Sequence, residues 1–223
     1  MKADLHIHCH YSEDSWAKIG DIIENAVRRG IRCIAITDHD EFRAHLDIHD
    51  DRVIVIPAEE VSSAEGHILA YGIDRRIPRG MGVRETIDAI HEAGGIAIAA
   101  HPYRYHSGLG EENIVPEFDG IEALNGWSKR KDNDRSKNLA HSFGKIVTAG
   151  SDAHTANRVG ESWVMLPDTV TTWQEAMEAI RAGVTEMHSS DRSMFQTIQY
   201  VLKSAALWFK RGGRRMPRSK VKP

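Results

Sequence analysis

Short apolar runs alternate with amphipathic segments along most of the chain. Between the runs, apolar residues recur at helical spacing, which predicts helices near 18–29, 83–93, 131–143 and 172–182. Strands that alternate with helices favour a parallel sheet or barrel, so the expected fold class is α/β. The runs rich in branched apolar side chains, typical of buried strands, are 3–8, 33–37, 53–58, 67–73, 95–100, 120–124, 145–150 and 162–166.

The expected organisation follows from these elements. We expect residues 1–193 to form a single β/α barrel domain, and residues 194–209, which are amphipathic, to form a last helix packed on it. Residues 210–223 contain Gly and Pro and carry seven Lys or Arg, which is typical of a basic, disordered tail.

Composition and charge fit an ordinary globular protein. Of 223 residues, 41% are hydrophobic and 27% are charged, and the chain is long enough to build one core. The net charge is −3, and leaving out the seven charges of the tail gives −10 for residues 1–209. A chain with this net charge has no overall positive field that would attract nucleic acid. An acidic body suits a protein that gathers carboxylates around cations, although plain soluble proteins share it.

Targeting signals are not apparent in the sequence. Asp4 and the nearby histidines interrupt any apolar run at the N-terminus, and no stretch of eighteen apolar residues exists. The two cysteines, Cys9 and Cys33, do not suggest a disulfide framework. We therefore expect a cytoplasmic protein with no membrane partner.

The first strand ends in the pattern DLHIHCH. Side chains alternate between the two faces of a strand, so His6 and His8 share one face and Leu5 and Ile7 share the other. Two neighbouring imidazoles attract each other when a cation lies between them, as in a metal site. This stretch alone does not decide between a metal site and chance histidines on a polar strand edge.

Four further predicted strands also end in histidine or carboxylate residues. The carboxyl ends of parallel strands converge on one mouth of a β/α barrel, where active sites lie. A lone histidine after a strand is usually a surface or capping residue, but five strand ends with the same chemistry favour a shared site. The residues at these four ends are Asp38 and His39, Glu59 and Glu60, His101, and Asp152 and His154.

These segments carry a family resemblance. DLHIHCHYSEDS, AITDHD, IPAEEVSS, GHILAYGI, AAHP and GSDAH resemble the successive motifs of the PHP (polymerase and histidinol phosphatase) family, almost continuously over residues 3–160. The resemblance implies a distorted (β/α)7-type, TIM-like barrel. It also implies two or three divalent transition metals and hydrolysis of phosphate esters by a metal-activated water. The implied metal ligands are His6, His8, Asp14, His39, Glu60, His67, His101, Asp152 and His154.

Two departures from the family pattern leave alternatives open. The family often has Ser-Asp-Gly where this chain has Ser12-Glu13-Asp14, so Glu13 is an alternative ligand to Asp14. The family often has Pro-Gly-x-Glu where this chain has Glu59 and Glu60 after Pro57-Ala58, and the spacing favours Glu60. His10 fills a variable position and is interpreted as polar surface.

The resemblance also implies how the ligands are shared. Glu60 would bridge two ions and act in catalysis. A ligand set of imidazoles and carboxylates suits Zn, Mn or Fe(II) better than Mg or Ca, which prefer oxygen alone. The implied partition puts His6, His8 and Asp152 on one ion, His67 and His101 on the second, and Asp14, His39 and His154 on the third.

Three residues outside the ligand set are further candidates. Asp38, beside His39, is a candidate catalytic carboxylate that orients an imidazole, and a helix N-cap is the alternative. Arg104 and Arg158 follow AAHP and GSDAH, and each is a candidate fork for the substrate phosphate or a solvated surface residue.

Three functions remain open at this level. The favoured one is hydrolysis of a phosphate monoester of a small metabolite or nucleotide. The second is a nuclease or phosphodiesterase acting on nucleic-acid ends, for which the segment GWSKRK (126–131) could stack a base and hold a phosphate. The third is a non-catalytic, metal-stabilised subunit. Nucleic acid is not the favoured partner, because a solvated loop that leads into a helix is the preferred interpretation of the same segment.

Overall fold

The computed structural model describes residues 1–190, whose strands form two five-stranded sheets. In the first sheet the spatial order is β10-β9-β1-β2-β3. β1, β2 and β3 run parallel to one another, whereas β9 is antiparallel to β1 and to β10. These strands are β1 (Lys2–Ile7), β2 (Ile31–Ile36), β3 (Ile54–Ile56), β9 (Ser162–Met165) and β10 (Glu186–Ser189).

The second sheet follows the order of the chain. β4, β5 and β6 form an antiparallel meander, and β6, β7 and β8 are parallel. Its strands are β4 (Ala58–Ser62), β5 (His67–Tyr71), β6 (Ile96–Ala99), β7 (Gly120–Asn125) and β8 (Ile146–Gly150).

Within residues 1–190, four α-helices connect the strands and confirm the helical segments predicted near 18–29, 83–93, 131–143 and 172–182. α1 is followed by Gly30 at φ +70°, a conformation that glycine adopts without steric cost. α4 begins after Thr172, whose hydroxyl accepts from the backbone N–H of Glu175. The helices are α1 (Ile19–Arg28), α2 (Val83–Glu92), α3 (Arg130–Phe143) and α4 (Trp173–Ala182).

The prediction of a closed (β/α)7-type, TIM-like barrel is wrong. Four residues, 63–66, join β4 to β5, which is too short for a parallel crossover and produces an antiparallel hairpin instead. β9 and β10 also run antiparallel to their neighbours. The two sheets meet through the isolated bridges Ile7↔Ala153 and His39↔Glu60, and no ladder closes them into a barrel within residues 1–190.

The predicted strand 53–58 is divided between the two sheets. β3 ends at Ile56, Pro57 follows, and β4 begins at Ala58. Proline has no N–H to donate to a ladder, so the chain leaves the first sheet at this point and enters the second. β4 continues past the end of the predicted strand, to Ser62. β10 (Glu186–Ser189) is a strand that the periodicity did not predict.

The two sheets enclose the central apolar cluster. Leu5 of β1, Tyr71 of β5 and Ile98 of β6 are fully buried in it, and Met177 of α4 packs against them. The Tyr71 hydroxyl donates to the carbonyl oxygen of Leu5 across 2.8 Å. This contact joins the sheets just beneath the histidine-rich end of β1.

The predicted helix 194–209 and basic tail 210–223 lie outside the described residues. Within residues 1–190, no helix combines the length and the apolar character needed to cross a membrane.

Candidate metal centre

The fold brings all nine predicted metal ligands together. Four groups of ligand atoms form, and within each group the atoms lie within 4.8 Å of one another. Several residues belong to two groups, so the groups share side chains and form one continuous cluster. The groups are His6, His8 and Glu60; His6, His101 and Asp152; His39, Glu60 and His67; and His8, Asp14, His39 and His154.

Glu60 lies between two groups of imidazoles. Its Oε1 is 2.7 Å from Nδ1 of His67 and 2.9 Å from Nε2 of His101. Its Oε2 is 3.2 Å from Nε2 of both His6 and His8. Oε2 also lies 3.2 Å from Nδ1 of His39. The two carboxylate oxygens therefore face different imidazoles, which suits a carboxylate shared by two ions.

Asp14 joins the cluster and Glu13 does not. Asp14 Oδ2 is 2.9 Å from Nε2 of His154 and 3.5 Å from Nε2 of His39. Glu13 lines a separate depression, next to His10. Of the two alternative acidic residues, Asp14 is therefore the one that lies beside the histidines, and its role as a ligand stays a prediction.

Backbone strain marks two of the strand ends. His101 after β6 has φ +28° and Asp152 after β8 has φ +52°, a region that residues other than glycine rarely adopt. The turn at Asp152 also needs Gly150, because a Cβ at that position would lie 2.2 Å from Cβ of His6. Such conformations persist at functional sites, where they direct side chains inward.

Glu122 and Asn125 of β7 belong to the site, although the sequence reasoning missed them. Glu122 Oε1 lies 2.9 Å from Nδ1 of His6, and Oε2 accepts from the backbone N–H of His101 and the Asn125 amide. A carboxylate oxygen accepts here, so Nδ1 of His6 is the nitrogen that donates to Glu122, and Nε2 is the nitrogen that faces the cluster. The sequence does hold one signal for Glu122, because a glutamate inside the apolar run GIEAL is a charged residue in a predicted buried strand.

The close packing of carboxylates and imidazoles shifts the pKa values of several residues in the cluster. Burial opposes ionisation of Glu60, but His67 and His39 more than offset it, and its pKa lies well below the usual range. Burial likewise lowers the pKa of His6, but Asp152 and Glu122 raise it more, to well above its ordinary value. The pKa of His101 falls to about 4 through burial and the charge of Arg104.

The donor set fits divalent transition metals. Nε2 of His6 and Nε2 of His8 lie only 3.1 Å apart, and the bond from Nδ1 of His6 to Glu122 directs the first of them into the cluster. Oδ1 of Asp14 is buried without a hydrogen-bond partner among residues 1–190. Converging lone pairs and an orphaned carboxylate oxygen are stabilised by a cation between them.

The contacts of Asp38 match neither expected role, the carboxylate that orients an imidazole or the helix N-cap. Its carboxylate accepts from the backbone N–H of Cys9 at 2.7 Å and from the Cys9 thiol at 2.8 Å. It is fully buried, and within residues 1–190 no hydrogen bond joins it to an imidazole. Asp38 therefore holds the loop after β1 in place rather than orienting a ligand.

The two candidate arginines are placed differently. Arg104 lines the cavity above the cluster and donates to Oδ2 of Asp152 at 2.5 Å and to Oδ1 of Asn125 at 2.6 Å. Arg158 is nearly buried, donates to Glu161 and to the carbonyl of Gly126, and stacks on a tryptophan ring 4.4 Å away. Arg104 therefore lies at the cavity beside the cluster, whereas Arg158 fixes the loop at Gly126, and contact of either arginine with a phosphate stays a prediction.

The cluster forms the floor of an open cavity of about 700 Å³. His39, His67 and His154 have side chains 25, 22 and 19% exposed, whereas His6 and His8 are fully buried. The first three imidazoles therefore line the cavity, and His6 and His8 lie beneath them.

Sequence comparisons find a family model and a similar protein. A family model described as PHP-associated (PHP_C) matches residues 130–185. The uncharacterized protein MJ1587 of Methanocaldococcus jannaschii is 35% identical over 144 residues, which make up 58% of this chain and 84% of that protein.

Solved structures share the fold. A two-domain protein of Bacteroides vulgatus, containing a predicted PHP-like metal-dependent phosphoesterase, matches with a TM-score of 0.66 and 18% identity, over 85% of this chain and 64% of that one. The lesion-specific endonuclease PfuEndoQ of Pyrococcus furiosus matches with a TM-score of 0.68 and 18% identity, over 85% of this chain and 59% of that one. This chain therefore spans less than two thirds of either protein.

Proposed function

This chain belongs to the PHP family, and we propose that it is a metal-dependent phosphoesterase that hydrolyses monoesters of small phosphorylated molecules. One observation carries the proposal: the nine-residue cluster lies on the floor of an open cavity, with Arg104 beside it. A buried group of imidazoles and carboxylates that faces a solvent-filled cavity is suited to holding cations where a substrate can reach them.

The cluster offers places for two or three ions. Glu60 would be shared, with His6, His8 and Asp152 on one side and His67 and His101 on the other. Asp14, His39 and His154 offer a further place, nearer to the solvent. The mixed nitrogen and oxygen donors favour Mn, Zn or Fe(II) over Mg or Ca. When bound, divalent ions would lower the pKa of a water molecule and neutralise the charge of the phosphoryl group.

Arg104 is the group of this chain best placed to bind the phosphate. Asp152 and Asn125 hold one end of its guanidinium, so the fork is fixed before substrate arrives. Guanidinium has five donors in one plane, and among residues 1–190 the remaining N–H groups of Arg104 have no hydrogen-bond partner, so they can donate to phosphoryl oxygens. A fixed fork loses little side-chain entropy on binding.

The protein groups beneath the substrate orient the ligands. Glu122 accepts from Nδ1 of His6, which turns Nε2 toward the cluster, and Ser12 Oγ lies 3.1 Å from Nδ1 of His8. These contacts hold both imidazoles in one orientation, so the donor atoms converge without rearrangement when an ion binds.

A paired assay tests the proposal. We expect Mn²⁺-loaded protein to hydrolyse p-nitrophenyl phosphate with a higher kcat/KM than bis(p-nitrophenyl) phosphate. Protein stripped with a chelator serves as the control and should lose this activity until Mn²⁺ is restored. Absence of turnover on both esters, with metal bound, would instead support a non-catalytic, metal-stabilised subunit.

A phosphodiesterase is the second candidate. The observation that favours it is the open side of the cavity, lined by Tyr103, Tyr105 and Trp127 together with cationic side chains. Aromatic rings beside cations suit nucleotides of a strand end. Faster hydrolysis of the diester in the same assay would select this function.

A further inference from the structure

One part of the cavity lining is cationic and contributes nothing to the metal cluster. Lys129 precedes α3, and Lys131 and Arg135 lie one turn apart on it; all three line the cavity. Their side chains are exposed to solvent. We name these three residues the α3 cation row.

Within residues 1–190, the positive charge of this row is not paired with a negative charge. Among residues 1–190, no ion pair joins any of the three to a carboxylate, and Asp132 is the one acidic side chain of this helical turn that lines the cavity. Arg135 stacks over the ring of Tyr103, with its Cζ 3.7 Å from the ring centre. This stacking holds a guanidinium at the cavity wall without neutralising it.

The row is held at a set position relative to the metal centre. The Asn133 side chain of α3 accepts from the backbone N–H of Asn125 at 3.0 Å and donates to its carbonyl oxygen at 3.2 Å. The Asn125 side chain in turn contacts Arg104 and Asp152. No side chain caps the first turn of α3, whose dipole adds positive potential at the same place.

We propose that Lys129, Lys131 and Arg135 bind a second phosphate group of the substrate. This inference rests on the proposed phosphoesterase function and specifies its substrate class. Three cations and Asp132 give this part of the lining a charge of about +2, which complements a phosphate group of about −2. The first phosphate occupies the metal centre beside Arg104, and a volume of about 700 Å³ accommodates both groups.

Two kinds of molecule present this chemistry. A small bisphosphate carries both groups on one sugar or nucleoside, and the end of a nucleic-acid strand carries the second as the next backbone phosphate. Both place a second anion near the scissile one, so the same row would bind either.

The test compares substrates that differ by one phosphate. Thymidine 5′-phosphate, thymidine 3′,5′-bisphosphate and 5′-phosphorylated (dT)4 are assayed with Mn²⁺-loaded wild-type protein and with the double variant Lys131→Gln/Arg135→Gln. The control is Arg130→Gln/Lys137→Gln, which removes the same charge from exposed positions of the same helix that do not line the cavity.

We expect the bisphosphate to have the higher kcat/KM and the double variant to reduce that preference about tenfold, since two charge-assisted contacts are lost. The control should keep the preference within about twofold, because exposed charges contribute little. A preference for (dT)4 that the double variant abolishes would assign the row to strand ends, and a preference for the bisphosphate would assign it to small molecules.

Two results would overturn the inference: equal kcat/KM for the mono- and bisphosphate, or an equal loss in the control variant. If none of the probes is hydrolysed, equilibrium dialysis of thymidine 5′-phosphate and thymidine 3′,5′-bisphosphate gives the same comparison as a ratio of Kd. Tighter binding of the bisphosphate that depends on Lys131 and Arg135 would then preserve the subsite and reject the phosphoesterase function.

Discussion

Glu122 and His6 form a buried hydrogen bond, with 2.9 Å between Oε1 and Nδ1. We predict that Glu122→Gln weakens Mn²⁺ binding roughly 10–100-fold, because the amide no longer selects the tautomer that leaves Nε2 free. Isothermal titration calorimetry of both proteins measures the change.

The matched control for this variant is Glu178→Gln, an exposed position of α4. It removes the same charge far from the cluster and should bind Mn²⁺ as the wild type does. Unaltered Mn²⁺ affinity in Glu122→Gln would show that this carboxylate does not position His6.

The deep ligands are tested by truncation. We expect His8→Ala and Asp152→Ala each to lower kcat/KM by ~100-fold or more and to reduce bound metal, because each removes a donor that no neighbouring group replaces. Turnover on p-nitrophenyl phosphate and elemental analysis are the measurements. His10→Ala, in the same motif but outside the cluster, should change neither. Near wild-type turnover and metal content in both truncations would mean that the site lies elsewhere.

The choice between the two acidic residues after Ser12 is directly testable. Asp14→Ala should lose bound metal and activity, because Asp14 Oδ2 lies 2.9 Å from Nε2 of His154. Glu13→Ala should retain both, because Glu13 lies outside the cluster. The reverse pattern in elemental analysis would assign the ligand to Glu13.

The two arginines should respond in opposite ways. Arg104→Lys keeps the charge but loses the planar fork, so we expect KM for p-nitrophenyl phosphate to rise about tenfold with little loss of stability. Arg158→Lys should leave KM near the wild-type value and lower Tm, because the contacts to Glu161 and Gly126 are structural. Steady-state kinetics and thermal unfolding of both variants separate the two roles; a KM effect confined to Arg158→Lys would exchange them.

The cysteines should be unreactive in the native protein. Cys9 and Cys33 are unpaired and fully buried, and burial raises the pKa of Cys33 to about 12. A raised pKa leaves less thiolate, on the order of one molecule in ten thousand at pH 8, and the thiolate is the nucleophile. We expect Ellman's reagent to detect no rapidly reacting thiol at pH 8 and two after denaturation. Fast labelling of one thiol in native protein would contradict this packing.

The sequence by itself determined the local elements and the residues with metal-binding chemistry. Strand and helix periodicity depends on a few neighbouring side chains, so segments such as 33–37 and 83–93 are readable directly. The positions of His6, His8, His101 and Asp152 at strand ends follow from the same local pattern. That these ends meet at one place requires only that the strands share a direction at the site.

The tertiary structure decided the pairing of strands and the partners of each side chain. The antiparallel meander β4–β5–β6 and the antiparallel β9 and β10 replace the predicted barrel, because strand direction depends on connection length and on distant neighbours. Glu122 reaches His6 across 116 positions of sequence, and Asp38 is diverted to Cys9 across 29. Contacts of this range leave no periodic trace, since each depends on how two separate strands pack, and only the folded chain specifies them.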